Sequence, residues 1–339
     1  MIKVQIVAAS FAGSVRPLAV SLGGCRPSTR RPGAHLARII PLALTLLLGS
    51  ATAGRAADLR DLLRRSVSAD RQYSFQGTKL LTHHVGGQET SGAAKVYHRY
   101  PDQTLLVGVN GSLEGSRVLQ LGRESYQKVS GGRFRQVDHA PVVDATELML
   151  RNYHLRQMRV EQIARRKCVM VSIEPRYPGN PRKLVWLDVK TALPLKTQVW
   201  SPDGQLTDES VFLTIQYQPR LSASLFRLPG NTVRDPWPSA NADFNIVEVR
   251  GAWLPRGYQL IETATRRLPG RGVVSIQRFS DGLNTLSLLQ SRQVSTRELV
   301  NLGGSAAISG QVGGVHYALC GDQEPEALRR VAQSLQASR

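Results

Sequence analysis

The sequence has few of the residues that characterise disulfide-rich scaffolds or membrane-spanning chains. Only 3 of its 339 residues are cysteines, which is too few for a domain held together by disulfides. Aromatic residues make up 6% of the chain, so any binding site is expected to be more aliphatic than aromatic. No apolar run approaches the roughly 20 residues of a membrane-spanning helix. Hydrophobic residues at 41% and charged residues at 20% indicate ordinary globular domains, about two at this length.

Sequence motifs of common enzymes are also missing. The chain has no Gly-x-Ser-x-Gly, no Walker loop and no His-Glu-x-x-His. Its seven histidines are scattered. The adjacent pair His83-His84 would point to opposite faces of a strand, so it is poorly placed to chelate one metal ion. We therefore expect a protein that is not an enzyme and has no cofactor.

The N-terminal segment has the composition of an export signal. Residues 1–57 carry seven basic and no acidic side chains, with an apolar run over 39–48 and small residues over 49–54. A basic flank, a short apolar core and a small-residue exit are the parts of a secretory signal. We predict that 1–57 is a signal segment cleaved after Ala53 or Ala56, which makes the mature protein periplasmic.

Basic residues outnumber acidic ones, 44 to 25, which gives a formal net charge of +19. The densest basic run falls within 151–183. It is either a solvated face or a docking surface for an acidic peptide or a lipid phosphate. Export argues against a nucleic-acid partner. The candidate docking residues in this run are Arg151, Arg165, Arg166 and Arg182.

Short alternating strands separated by turn residues dominate the chain after residue 73. Strands that are evenly spaced and locally connected indicate an antiparallel meander. Both faces of the strand at 183–189 are apolar, so both should be covered. A strongly curved sheet holding helices or a lipid-sized ligand would do this, and so would a β-sandwich. Strands are predicted at 73–84, 93–100, 103–109, 117–121, 124–129, 133–137, 167–173, 183–189, 194–200 and 209–217, with helices at 58–72 and 143–153.

A segment rich in proline and asparagine, 228–241, indicates a linker between two domains. The part that follows predicts a small α+β domain with strands near 244–250, 257–263, 272–279, 284–290, 305–310 and 314–320. A terminal helix is predicted from Pro325 to about Gln336. The predicted organisation is a signal segment at 1–57, a larger domain at 58–228, a linker at 229–242 and a small domain at 243–339.

Alternation along the strands also selects apolar residues that could line a lipid cavity, although residues of this kind are more often plain core than ligand contacts. These cavity candidates are Leu105, Val107, Leu119, Leu121, Val171 and Trp186. Two cysteines remain after export, Cys168 and Cys320. They could form a disulfide in an oxidising compartment or remain as buried free thiols.

Several runs of the mature chain together resemble the RseB/MucB family of periplasmic regulators of the envelope-stress sigma factor, sigma-E. In the larger domain, Trp186-Leu187-Asp188 is followed by Thr191-Ala192-Leu193-Pro194-Leu195 and by the turn Ser201-Pro202-Asp203-Gly204. Further similar runs lie at 73–78 and 225–229, and at 253–260 and 279–283 in the small domain. The similarity extends over essentially all of 58–339.

The resemblance implies an α+β protein. Its N-terminal domain is expected to be a curved antiparallel sheet with inserted helices, a half-barrel similar to the lipoprotein carriers LolA and LolB. A smaller C-terminal α+β domain follows.

The resemblance also implies a non-enzymatic regulator, peripheral to the membrane, that binds the periplasmic part of a membrane anti-sigma factor and limits its proteolysis. Such a regulator senses lipid-bearing ligands such as lipoprotein acyl chains. The alternative is a periplasmic lipid or lipoprotein carrier. The oligomeric state stays open, with a homodimer among the alternatives.

Overall fold

A computed structural model gives the fold. It describes residues 50–85, 87–122, 124–129, 132–137, 145–233, 249–268, 272–297, 307–321, 323 and 325–337. The apolar core of the predicted signal segment and most of the predicted linker lie outside these residues. None of the helices within them is long and apolar enough to span a bilayer.

The larger domain begins with a helix that leads into two successive meanders. Helix α1 (Ser50–Ser68) ends in a short 3-10 turn, and helix α2 (Thr146–Asn152) separates the meanders. The first meander contains β1 (Phe75–Val85), β2 (Gln88–Arg99), β3 (Gln103–Gly108), β4 (Arg117–Leu121), β5 (Glu124–Lys128) and β6 (Phe134–Val137). The second contains β7 (Tyr153–Ile163), β8 (Arg166–Pro175), β9 (Arg182–Asp188), β10 (Pro194–Trp200) and β11 (Leu206–Tyr217).

The two meanders join into one 11-stranded antiparallel sheet, in the order β6-β5-β4-β3-β2-β1-β11-β10-β9-β8-β7. The join is the long-range pairing of β1 with β11. Strands β7 and β11 are four positions apart, which would separate them by about 19 Å in a flat sheet. Parts of the two strands nevertheless come within 8 Å of each other, Cα to Cα. The sheet is therefore strongly curved, as the sequence predicts.

Each face of the curved half is covered. Helices α1 and α2 cover one face of β8 and β9, where Leu59 and Leu63 pack with Met149, Val171 and Leu187. The opposite face carries a separate cluster around Trp186, Met170 and Leu195. The strand at 183–189 is apolar on both faces, which therefore need to be shielded from water. Helices shield one face and a cluster of side chains shields the other.

The described part of the small domain contains two sheets and a helix. Strand β12 (Val249–Gly251) pairs with the last strand, β18 (Leu335–Ala337). Helix α3 (Pro325–Gln333) packs Leu328 and Val331 into the domain core. The five-stranded sheet has the order β13 (Gln259–Leu268), β14 (Gly272–Ser280), β15 (Thr285–Ser291), β17 (Val315–Gly321) and β16 (Ala307–Val312). The predicted α+β fold class, a curved sheet followed by a smaller domain, is confirmed.

The structure differs most from the predicted elements at strand β7 and at the C-terminus, beyond shifts of a few residues in the bounds of other elements. No predicted strand corresponds to β7. Residues 156–160 are all exposed, so this segment lacks the alternation of buried and exposed side chains that identifies a half-buried strand. The terminal helix ends at Gln333 rather than near Gln336, because residues 335–337 pair with β12.

Candidate functional site

The two domains meet at a buried polar network built from four side chains. The Tyr153 hydroxyl donates to Asp281 Oδ2 at 2.5 Å, and Asn284 Nδ2 donates to the Tyr153 oxygen at 2.7 Å. Asn152 Nδ2 donates to the backbone carbonyls of Gly257 and Asp281, both at 2.8 Å. None of the four side chains belongs to a residue more than 6% exposed. Buried polar groups need partners, so this network holds the domains in one relative position.

The turn between β14 and β15 supplies most of the small-domain half of this junction, and Gly257 supplies the rest. Asp281 Oδ1 accepts from the amides of Leu283 and Asn284, at 2.9 and 2.7 Å, which fixes the turn. Gly282, with φ of +98°, sits directly against the backbone of α2 at Met149. Leu283 inserts into the cluster under α1 and α2. The run at 279–283, which contributes to the family resemblance, is therefore one of the parts of the small domain that contact the larger one.

Tyr153 acts in this junction as a permanent hydrogen-bond donor. Burial raises its pKa well above the usual range, and the neighbouring Asp281 carboxylate raises it further. The hydroxyl therefore keeps its proton at every physiological pH.

Removal of this hydroxyl, in Tyr153→Phe, is expected to lower the free energy of unfolding by about 1–3 kcal/mol, since Asp281 and Asn284 lose a buried partner. Urea unfolding measures the change. Tyr97→Phe is the control, because the described residues form no hydrogen bond to the Tyr97 hydroxyl. Equal stability of the two variants would show that the junction does not depend on this hydrogen bond.

The cavity candidates are distributed over three clusters. Leu105 and Leu119 pair directly across β3 and β4, and each is 1% exposed. Val107 and Leu121 lie at the margin of the same cluster. Val171 pairs with Val185 and Trp186 with Met170, so Val171 and Trp186 point to opposite faces of the sheet. The structure thus brings four candidates together and separates the other two. A role for any of them in lipid binding stays a prediction.

Two of the four candidate docking arginines are engaged inside the larger domain. Arg166 pairs with Asp188 at 2.7 Å and lies over the Tyr217 ring at 5.0 Å. Arg182 stacks on the Trp200 ring at 4.8 Å. By contrast, Arg151 and Arg165 are exposed and have no hydrogen bond or ion pair to any residue that the structure describes. Of the four, these two are available to a partner.

Asp188 organises the turn between β9 and β10. Its Oδ1 accepts from the amide of Lys190 at 2.8 Å and from that of Thr191 at 3.3 Å. Burial acts to raise the pKa of Asp188, but the hydrogen bonds from Arg166 and these amides outweigh it and lower the pKa below the usual value. The Trp-Leu-Asp run and the Thr-x-Leu-Pro-Leu run therefore have a structural role, in closing this turn.

The sequence-based selection of docking residues misses the exposed part of β7. Arg156, Met158, Arg159 and Val160 are all exposed there. Arg159 pairs with Glu161, whose pKa is lowered by this hydrogen bond and by another from Trp186 Nε1. Arg156 and Arg159 both belong to the dense basic run at 151–183, and this run is the sequence feature that could have identified them as docking candidates. Without a predicted strand, nothing placed them on a sheet edge.

Cys168 and Cys320 are both free and buried. They belong to different clusters, one in each domain, and burial raises the pKa of each thiol to about 11. The structure corresponds to the alternative of buried free thiols. Within the described ranges, no three His, Cys, Asp or Glu side chains are grouped so that they could hold a metal ion.

Comparison with known proteins identifies related sequences. Residues 58–230 match the family model described as the MucB/RseB N-terminal domain. The sigma factor AlgU regulatory protein MucB of Pseudomonas aeruginosa is 29% identical over 255 residues, which are 72% of this chain and 79% of that protein. The sigma-E factor regulatory protein RseB of Escherichia coli is 20% identical over 178 residues, 51% of this chain and only 56% of that protein. These relatives are regulatory proteins rather than enzymes.

Solved structures show the same fold. The complex of Pseudomonas aeruginosa MucA and MucB matches with a TM-score of 0.59 at 20% identity, over 83% of this chain and 99% of that chain. The structure of MucB in complex with MucA(peri) matches with a TM-score of 0.54 at 22% identity, over 83% and 100%. Because the family model covers just over half of the sequence, this chain belongs to the MucB/RseB family.

Proposed function

We propose that this protein is a periplasmic, non-enzymatic regulator that binds the exported segment of a membrane anti-sigma factor. The observation that carries the proposal is the family match over the whole larger domain, 58–230. A relative with this fold has been solved together with MucA(peri). The uncompensated positive charge at Arg151 and Arg165 suits an acidic partner segment, since charge complementarity promotes encounter and fixes register.

The proposed regulator limits proteolysis of its partner by covering the cleavable segment. Lipid-bearing ligands would relieve this protection if they bound a state of the protein that cannot hold the partner. A ligand shifts such an equilibrium only through its differential affinity for the two states. The junction around Tyr153 and Asp281 supports this proposal, because any change in the relative position of the domains must rearrange it.

Isothermal titration calorimetry tests the binding step. The probe is the exported segment of the single-pass anti-sigma factor encoded beside a sigma factor in the same genome, titrated into the mature protein purified from the periplasm. We expect a one-to-one complex with a Kd near or below about 1 μM at low salt, weakening as salt screens the arginines. Absence of binding at protein concentrations of about 100 μM would refute the proposal.

Proteolysis and lipid release are tested separately. The membrane-anchored anti-sigma factor is incubated with its first-acting protease, with and without this protein, and the rate of cleavage is followed by gel. Slower cleavage is expected, and added lipoprotein acyl chains should restore the rate. Acyl chains that co-purify with the protein, together with an unchanged cleavage rate, would instead favour the lipid carrier.

A further inference from the structure

Among the described strands, β7 is one of the two edges of the large sheet and is hydrogen-bonded only to β8, although part of it comes within 8 Å, Cα to Cα, of β11. The amide of Arg176 donates to the Asn152 carbonyl at 2.9 Å, so these two residues form a hydrogen-bonded pair. The next pair along β7 is Tyr153 with Pro175, and it is not hydrogen-bonded, since proline has no amide hydrogen. Hydrogen-bonded and non-bonded pairs alternate along an antiparallel ladder. The backbone groups of Leu155 and Gln157 therefore point away from β8, towards the open edge.

This edge is both cationic and apolar. Arg156 is exposed and has no acidic partner among the residues that the structure describes. The same holds for Arg151, before the strand, and for Arg165, in the turn after it. Met158 and Val160 lie within the same exposed segment and are 50% and 48% exposed. The segment 155–160 thus combines backbone groups that have no hydrogen-bond partner among the described residues, an unpaired arginine and two half-exposed apolar side chains.

Charges and bulges at a sheet edge also serve to prevent pairing between copies of a protein. Strand β7 has such a bulge between Gln157 and Val160. Protection alone, however, does not account for two large apolar side chains exposed beside the arginines. Basic and apolar residues together on an open edge suit an extended segment that carries acidic and apolar side chains.

We propose that the β7 edge at residues 155–160 is the docking strand for an extended, acidic segment of the partner, which adds to the sheet as a further strand. This inference rests on the proposed function, because it takes the exported segment of the anti-sigma factor as the occupant. Main-chain hydrogen bonds would supply affinity, and the arginines and apolar side chains would supply selectivity. The strand begins at Tyr153, within the domain junction, where the Tyr153 amide donates to the Met149 carbonyl, so an occupant of 155–160 would bind next to this junction.

Two matched substitutions at one position separate backbone from side-chain effects. Gln157→Pro removes an outward-pointing amide without removing a β7–β8 hydrogen bond, and edge strands tolerate proline. Gln157→Ala keeps the amide and removes only the side chain. In the titration with the exported segment, we expect Gln157→Pro to weaken binding at least about tenfold and Gln157→Ala to bind like the wild type.

Charge reversal provides the second, independent variant. Arg156→Glu is expected to weaken binding by about tenfold and to reduce its salt dependence, because an attractive charge becomes a repulsive one. Arg227→Glu is the control, since Arg227 is also exposed but lies beyond β11, outside the basic run. Circular dichroism confirms that each variant is folded.

The outcomes distinguish this inference from the proposed function. If the wild type binds and folded Arg156→Glu and Gln157→Pro bind equally well, the β7 docking site is excluded while the regulator proposal stands. If the wild type itself does not bind, both fall. If Arg156→Glu loses affinity only for vesicles of anionic phospholipid, the surface is a membrane contact and the docking proposal is wrong.

Discussion

Replacing Gly282 by alanine is expected to disrupt the junction between the domains. A Cβ atom at this position would lie 2.1 Å from the Met149 backbone nitrogen and 2.5 Å from its Cα. Because the obstacle is backbone, either α2 or the β14–β15 turn must move. The same turn carries Asp281 and Leu283, so a shift breaks the Tyr153 hydrogen bond and withdraws Leu283 from its cluster. We expect a loss of several kcal/mol of stability from strain and lost burial.

Small-angle scattering and limited proteolysis measure this effect. The radius of gyration of Gly282→Ala should increase, and the chain should be cleaved more rapidly between the domains. Gly204→Ala is the matched control, because Gly204 also has a positive φ, of +84°, but no atom lies within 4 Å of the added Cβ. It carries the same kind of backbone strain, about 1 kcal/mol, without the clash. Identical scattering from the two variants would show that this turn does not hold the domains together.

The sequence predicts local elements of this fold well because they depend on short-range patterns. The strand predicted at 117–121 has the bounds of β4, and those at 183–189 and 194–200 correspond closely to β9 and β10. The pairing of β1 with β11 is not visible in the sequence, because it joins residues more than 120 positions apart. Local alternation carries no information about which distant strand becomes the neighbour.

Candidate site residues are harder to predict, because their role depends on long-range contacts. Arg166 and Arg165 are adjacent and equally basic in sequence, yet one is held by Asp188 and the other is exposed without a partner in the described structure. Val171 and Trp186 both look like core residues of neighbouring strands, but the register places them on opposite faces. The sequence does not indicate that Asn152 and Tyr153 belong to the domain junction, because their hydrogen-bond partners lie more than 100 positions away.

A buried lysine in the large sheet destabilises the fold at neutral pH. Lys79 lies in β1 between Ala94 and Phe212 and is 5% exposed. Its Nζ lies 5.1 Å from the centre of the Phe212 ring, and no residue in the described ranges forms an ion pair or hydrogen bond with it. Burial lowers the pKa of Lys79 from 10.5 to about 7. The contact with the ring offsets only part of the desolvation.

This pKa shift makes stability depend on pH in a defined direction. Between about pH 7 and pH 10.5 the unfolded chain binds a proton at Lys79 that the folded chain has lost. Stability attributable to this residue therefore rises with pH across that window, by about 1.4 kcal/mol for each pH unit. The resulting destabilisation is about 4 kcal/mol at pH 7 and about 2 kcal/mol at pH 9. These values are a large fraction of the 5–15 kcal/mol that is typical of a domain.

Lys79→Met should therefore stabilise the protein, because a thioether of similar length fills the same space beside Phe212 without a charge. We expect a gain of about 4 kcal/mol at pH 7 that falls to about 2 kcal/mol at pH 9, measured by urea unfolding of wild type and variant at both pH values. Lys95→Met, at an exposed position on the neighbouring strand β2, is the control and should change stability little at either pH. A gain that is the same at pH 7 and pH 9 would show that Lys79 is not desolvated in the folded protein. The difference between the two pH values, rather than the gain itself, isolates the buried charge from any effect of improved packing.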